Sequence, residues 1–257
     1  LRGVETVVFD KTGTLTTGRM EVLDAEAADD LLAAAAELER RASHPAAAAI
    51  VDGFAAADAP TVESFTSHAT GVEGVVDGRQ LLVGNPDLFA ERGWSVSGEI
   101  ESRAAEARAA GRLPVLVGED GAASGIVVVG DEPRQRWEST LERLADRDLD
   151  VVVLTGDDES AAAAFAASPH VTHVFAGVPP AGKSAAVRRL RESGSVAMVG
   201  DGTNDAPALA AADLGISLGS GTALAAEASD LAVVEDDLAG VAAAFDLSAE
   251  SYRWRRW

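Results

Sequence analysis

The 257-residue chain has no cysteine, a single tyrosine and, among its 21 basic residues, only two lysines, Lys11 and Lys183. The first absence excludes a disulfide framework, a thiolate zinc site and a cysteine nucleophile within this segment. No stretch approaches the roughly eighteen consecutive apolar residues of a membrane-spanning helix, and no basic, apolar and cleavable leader opens the chain. A soluble polypeptide is therefore expected, and a start at Leu1 rather than methionine suits a segment of a longer protein. What is abundant is apolar: 47% of the residues are hydrophobic, enough to build one large α/β domain or two smaller ones with real cores.

Positive charge is also scarce. Acidic residues number 42 against 21 basic ones, for a formal charge of -21 and an isoelectric point near 4.4. Nucleic acid and anionic membrane are thereby excluded as partners held by a general surface field. Low lysine with plentiful Asp, Glu and Ala resembles the composition of proteins from salt-loving organisms, whose carboxylate surfaces stay hydrated while salt screens their repulsion. Where lysine is so rare, the two that remain are expected to have specific work.

The run from Val4 to Phe9 is short and β-branched, and it reads as a buried strand that delivers Asp10-Lys11-Thr12-Gly13-Thr14. The same grammar recurs where Val151–Leu154 leads into Thr155-Gly156-Asp157, and where Val196–Val199 leads into Gly200-Asp201-Gly202-Thr203-Asn204-Asp205. An alanine-rich helix is predicted after each of these two loops, and another over Ser184–Glu192. Strands alternating with helices make a doubly wound parallel sheet, in which loops converge at the carboxyl ends of the strands. Between about Met20 and Val128 the pattern changes. It predicts a helix over Ala27–Arg41, a second after His44-Pro45, and hairpin strands around Val72–Val83 and Pro114–Val129, with Asp77-Gly78 and Glu119-Asp120-Gly121 at the turns. The fold class is thus a Rossmann-like domain (residues 1–21 and 129–257) interrupted by an α+β domain with an antiparallel sheet (residues 22–128). A helix over Arg134–Asp148 returns the chain to the parallel sheet.

Asp10, at a strand end with Lys11, Thr12 and Thr14 beside it, has the setting of a carboxylate that attacks phosphorus and becomes an aspartyl phosphate. The plain alternative is an aspartate capping a turn. The septet Asp10-Lys11-Thr12-Gly13-Thr14-Leu15-Thr16 is far more specific than that, and it resembles the phosphorylation motif of the P-type ATPases. Thr155-Gly156-Asp157, Pro180 with Lys183, and Gly200-Asp201-Gly202-Thr203-Asn204-Asp205-Ala206-Pro207 follow in that family's order, so the resemblance spans nearly the whole chain. It implies a haloacid-dehalogenase-type phosphorylation domain with ATP and Mg2+ as cofactors.

Each of these residues has a physical reason to be there. A carboxylate approaching a nucleotide's terminal phosphate meets several negative oxygens, so the site needs cations and aimed donors. Lys183 would supply a fixed ammonium, and Thr155 and Asn204 neutral donors from loops that also carry Gly156 and Asp157. Asp10, Thr12 and Asp201 would form the oxygen set for Mg2+, and Asp205 would orient Lys183 or a metal-bound water. Phosphatases of the same superfamily usually place a second aspartate two residues after the nucleophile as acid and base. Thr12 cannot do that, so the aspartyl phosphate is expected to persist until another group activates water.

The stretch Gly177-Val178-Pro179-Pro180-Ala181-Gly182-Lys183-Ser184 also fits the pattern of a phosphate-binding P-loop, but two prolines remove backbone donors from that cradle. Within the insertion, Ser43-His44-Pro45 with Glu39 upstream resembles the nucleotide-binding domain of the heavy-metal (P1B) branch. That resemblance implies that His44 and Glu39 contact adenine, with Gly71, Val72 and Asn85 completing the site. Ala69 and Ser43 depart from the branch, where glycine and glutamate are usual, and a position 69 that needed a positive φ or a close approach to the nucleotide would lower its affinity. A helix cap at His44-Pro45 is the ordinary alternative. His170 and His173 fit a strand opening better than a metal pair, and the basic, aromatic end Tyr252-Arg253-Trp254-Arg255-Arg256-Trp257 suits a membrane interface or a frayed helix.

The resemblance implies the catalytic cytoplasmic part of a heavy-metal pump, copper first, working at the cytoplasmic side of the cell membrane with transmembrane and actuator domains that this segment lacks. The alternatives are a stand-alone phosphatase for small phosphate esters and a non-catalytic ATP-binding regulatory module. One expectation follows from charge alone. With -21 to screen, the midpoint of thermal unfolding should rise from dilute buffer to molar salt, and a midpoint flat across that series would contradict the salt-adapted reading.

Overall fold

The computed structural model describes residues 3–202, 204–219, 227–233 and 237–253, and the chain divides into two compact units, Leu1–Gly18 with Pro133–Trp257 and Arg19–Glu132. Thr203 and Trp254-Arg255-Arg256-Trp257 of the motifs above lie outside the described residues, while Tyr252 and Arg253 close a helix.

The first unit carries a six-stranded parallel sheet in the order β12 (Leu231–Val233), β11 (Leu214–Leu218), β10 (Val196–Gly200), β1 (Thr6–Asp10), β8 (Asp150–Leu154) and β9 (His173–Phe175). Alternate residues of a strand point to opposite faces. Val7, Phe9, Val151, Val153, Ala197 and Val199 meet Leu141 and Leu144 of α5 (Trp137–Ala145) and Val241 and Phe245 of α9 (Ala239–Arg253). On the other face, Val8, Val152, Leu154 and Met198 meet Val187 of α7 (Pro180–Arg191) and Leu209 of α8 (Ala206–Leu209). A sheet buried on both faces needs the near-continuous apolar strands that the sequence displays.

The second unit is a six-stranded antiparallel sheet in the order β2 (Glu21–Glu26), β7 (Ala122–Gly130), β6 (Leu113–Glu119), β5 (Arg79–Gly84), β4 (Gly71–Val76) and β3 (Val62–His68). One face packs Val72, Val76, Leu81 and Val83 against α1 (Asp29–Glu39) and α2 (Pro45–Phe54); the other packs Leu82, Leu116, Ile126 and Val128 against α3 (Pro86–Arg92) and α4 (Gly98–Ala109).

Several elements differ from expectation for local reasons. The helix expected in the alanine run after β8 is reduced to α6 (Ala163–Ala166). Asp158 Oδ1 takes the Ser160 hydroxyl at 2.6 Å and the Ala161 N–H at 3.0 Å, a side-chain turn that delays helix entry. The stretch after β10 likewise forms only α8. Helix α7 begins at Pro180, four positions before the expected start, because proline is well suited to a first helical turn. Helix α5 starts at Trp137 rather than Arg134, whose backbone and guanidinium are used elsewhere. The units join a few residues away from the expected 21/22 and 128/129 boundaries, since β7 runs on through Gly130 in the antiparallel sheet.

Candidate active site

Strand β1 lies between β10 and β8, so the loops after these three strands emerge at one end of the sheet. Asp10 closes β1 and is 2% exposed. Its Oδ1 accepts from Lys183 Nζ at 2.5 Å, and the same ammonium donates to Asp205 Oδ1 at 2.8 Å. Lys183 reaches this point from the start of α7, and Asp205 from the residue preceding α8. Asp205 Oδ2 is buried with no hydrogen-bond partner among the described residues. Pro179 and Pro180 open a regular helix here and Lys183 is committed to two carboxylates, so the P-loop pattern forms no phosphate cradle.

The other lysine turns away. Lys11 Nζ is 2.5 Å from Asp157 Oδ2 and donates to the Ala161 carbonyl at 3.4 Å, while Thr155 Oγ1 accepts the Asp157 N–H at 3.1 Å. These contacts tie the loop after β8 to the loop after β1. Thr155 is buried, and Thr12, Gly156 and Asn204 are exposed at the rim. Gly13 has φ +79°, and a Cβ there would lie 2.5 Å from Asp201 Oδ2, so only glycine lets that carboxylate approach the turn. Sequence reasoning missed Arg134. Its Nε donates to the Thr14 carbonyl and its Nη2 to the Gly13 carbonyl, both at 2.9 Å, and its N–H donates to the Leu15 carbonyl at 2.8 Å. The only signal was an arginine after Pro133 where the chain returns to the parallel sheet.

Two carboxylates share one ammonium in a buried site. Burial first, then the like charge of Asp205, push the Asp10 carboxyl up to about 7, against the pull of Lys183. Burial works against the Lys183 charge, but Asp10 and Asp205 outweigh it and hold the ammonium above its ordinary range. The arrangement places a carboxylate oxygen beside a fixed cation, a pairing with the chemistry that attack on an anionic phosphate would need.

In the second unit, Glu39 ends α1 and is 1% exposed, with Oε2 lacking a hydrogen-bond partner among the described residues, and burial raises its carboxyl to about 7. His44 caps α2, its Nδ1 accepting the Ala47 N–H at 3.0 Å, and its Nε2 is 3.5 Å from Glu39 Oε2. The other expected binding residues have structural work as well. Val72 belongs to the core beneath α1 and α2. Asn85 caps α3 by accepting the Leu88 N–H at 2.9 Å. A Cβ on Gly71 would lie 2.2 Å from the Val83 carbonyl. Ala69 does not have positive φ, so its backbone makes no demand for the usual glycine. His68, without a role in the sequence, pairs with Glu73 at 3.2 Å on the opposite face of β4, and Arg92 pairs with the same carboxylate. His173 opens edge strand β9, with His170 in the turn before it.

The family described as haloacid dehalogenase-like hydrolase matches residues 4–213. The chain belongs to the haloacid dehalogenase-like hydrolases. Among curated members of this superfamily it is 42% identical over 262 residues to "Probable copper-exporting P-type ATPase V" of Mycobacterium tuberculosis, covering 97% of this chain and 34% of that protein. A solved zinc-transporting PIB-type ATPase in its E2.Pi state superposes with a TM-score of 0.86 and 34% identity, over 98% of this chain and 42% of that one. The catalytic domain of the CPx-ATPase CopB-B, solved in a study of conformational changes upon nucleotide binding, superposes with a TM-score of 0.69 and 25% identity, over 94% and 89% of the two chains. The relatives of this haloacid dehalogenase-like chain are therefore heavy-metal P-type ATPases, and it spans about a third of the length of the curated relatives it matches.

The raised Asp10 carboxyl carries a stability consequence. Its folded pKa of about 7 lies above the ordinary carboxylate value of 3.8. The folded state therefore binds this proton more tightly, and stability from the group is full below pH 4 and lost as pH rises through 7. Asp10→Asn, which mimics the neutral acid, should stabilise the cation-free protein by about 2–4 kcal/mol at pH 8 and by almost nothing at pH 4. Denaturant unfolding of both proteins at the two pH values measures this, and an equal effect at both would contradict the charge assignment.

Proposed function

We propose that this chain is the ATP-binding, aspartyl-phosphate-forming part of a P-type ATPase that exports a heavy-metal cation, copper first, across the cell membrane from the cytoplasmic side. The observation that carries the reading is the Lys183 ammonium between Asp10 and Asp205 at the end of β1, combined with threonine at position 12. Copper rests on what the curated relatives are named to export, since the neighbouring structure belongs to a zinc transporter. The transmembrane and actuator domains of such a pump are the partners this proposal requires, and no helix among the described residues is long and apolar enough to cross a membrane.

In this proposal Asp10 Oδ attacks the γ-phosphorus of ATP, a new P–O bond forms to the carboxylate, and the bond to the ADP oxygen breaks. Lys183 neutralises oxygen charge at the phosphate, and Asp205 keeps the ammonium aimed. Arg134 fixes the carbonyls of Gly13 and Thr14, and so the turn that follows the nucleophile. The donor set also suits Mg2+. Asp201 leans against the Gly13 turn that follows Asp10, and Mg2+ takes one or two carboxylates with water and phosphate. Asp10, Thr12 and Asp201 would hold it, and it would supply charge neutralisation at the phosphate. Glu39 and His44 would receive the adenine.

A stand-alone phosphatase would need a carboxylate in the place of the exposed Thr12. The proposal is tested with γ-labelled ATP and Mg2+. Label should be retained in acid and released by hydroxylamine, be absent from Asp10→Asn, and turn over slowly. Release of many phosphates per second from small esters, abolished in Asp10→Asn, would replace the pump with the phosphatase. ATP binding without any label would leave the regulatory module.

A further inference from the structure

The antiparallel sheet carries a cavity on the face away from α1 and α2. A trough of about 240 Å3 lies between α3 and α4, floored by the fully buried Leu116 of β6 and walled by Trp94 and Val96 of the connecting loop. Its walls are fixed in the empty protein. Asn85 caps α3 and Ser97 caps α4. The loop between these helices is tied to the β6–β7 turn, the Ser95 N–H donating to the Gly121 carbonyl at 3.0 Å and the Ala123 N–H to the Ser95 carbonyl at 2.8 Å. The Trp94 ring stands edge-to-face against Phe89, with centroids 5.9 Å apart.

On α4, Glu101, Ala104, Ala105 and Arg108 follow the spacing of one helix face, and all four line the trough. Alanine in the middle leaves the apolar length open. A carboxylate and a guanidinium flank that length, their backbones about 10 Å apart by helix rise. Both residues are exposed, and neither joins an ion pair among the described residues. Arg103, which lies between them on the helix, is taken by Asp24, Glu26 and Glu106. The trough therefore offers one anionic acceptor and one cationic donor to a guest.

We propose that this trough binds a free ω-amino acid, with its ammonium on Glu101, its carboxylate on Arg108 and its methylene stem along Ala104, Ala105, Leu116 and the Trp94 indole. Charge selects this occupant. The field of a chain at -21 opposes a simple anion. The Arg108 guanidinium opposes a simple cation, and a wholly apolar guest leaves both charges unanswered. A zwitterion whose charges are separated by an apolar stem answers both and is neutral overall. Short, mostly apolar cavities with a few placed polar groups are the usual form of small-molecule sites. This site goes beyond the phosphoryl chemistry proposed at Asp10 and does not rest on it.

The test titrates the full chain with 6-aminohexanoate, hexanoate and hexylamine while nitrogen-15 NMR follows the indole N–H of Trp94, assigned with Trp94→Phe. The zwitterion should bind about fivefold more tightly than either relative. Arg108→Gln should remove its advantage over hexylamine, and Glu101→Gln its advantage over hexanoate. Ala105→Leu, which fills the trough and leaves both charges in place, should abolish binding. All three positions are exposed, so thermal unfolding of these variants should match the wild type. Equal affinity for the three compounds, a preference that survives both charge variants, or an indole signal that none of the compounds moves would overturn the proposal.

Discussion

One ammonium between two buried carboxylates organises the parallel-sheet unit. Lys183 spans from the start of α7 to the end of β1 and to the residue before α8. The three contributing segments are adjacent in space only because β1 sits between β10 and β8 in the parallel sheet. With two negative groups and one positive, the cluster is left with excess negative charge in a poorly solvated place, and Asp10 holds its proton far above the ordinary carboxylate range. A buried ion cluster of this kind is weak support for stability and is understandable as equipment for chemistry. The scarcity of lysine sharpens the point, since this chain keeps lysine at two positions and both pair with carboxylates at this end of the sheet.

The inserted unit uses the same physics on a smaller scale. Glu39 is buried at the end of α1 with His44 Nε2 3.5 Å from its Oε2, and His44 is itself held by a helix cap. Both units thus hold a buried carboxyl raised well above the ordinary carboxylate range. The apolar sheets behind them, covered by helices on both faces, supply the low-dielectric walls that cause this rise.

What was legible in the sequence follows from the same division. Strands buried on both faces read as continuous apolar runs, so β1, β8 and β10 and the polar loops that they deliver could be read directly. The edge strands β2 and β3 are half polar and were not recognised, because an edge in contact with water carries charged and hydroxyl side chains that blur the alternation. The short α6 was overestimated because alanine propensity is local, whereas the Asp158 turn and the Lys11 contact with the Ala161 carbonyl depend on the fold. Arg134 was invisible for a related reason. Its partners are backbone carbonyls about 120 positions earlier in the chain, and no spacing rule encodes a carbonyl. The roles of Gly71 and Asn85 in closing a hairpin and capping α3 could likewise not be separated from nucleotide binding without coordinates.

The central claim is electrostatic: burial first, and then Asp205 and Lys183 together, tune the Asp10 carboxyl. The direct measurement is carboxyl carbon-13 NMR of Asp10 as a function of pH in the cation-free protein, in the wild type and in Asp205→Asn and Lys183→Met. The account predicts wild-type titration near pH 7, a fall when the like charge of Asp205 is removed, and a rise when the Lys183 ammonium is removed. An Asp10 that titrates as an ordinary carboxylate and ignores both substitutions would contradict it.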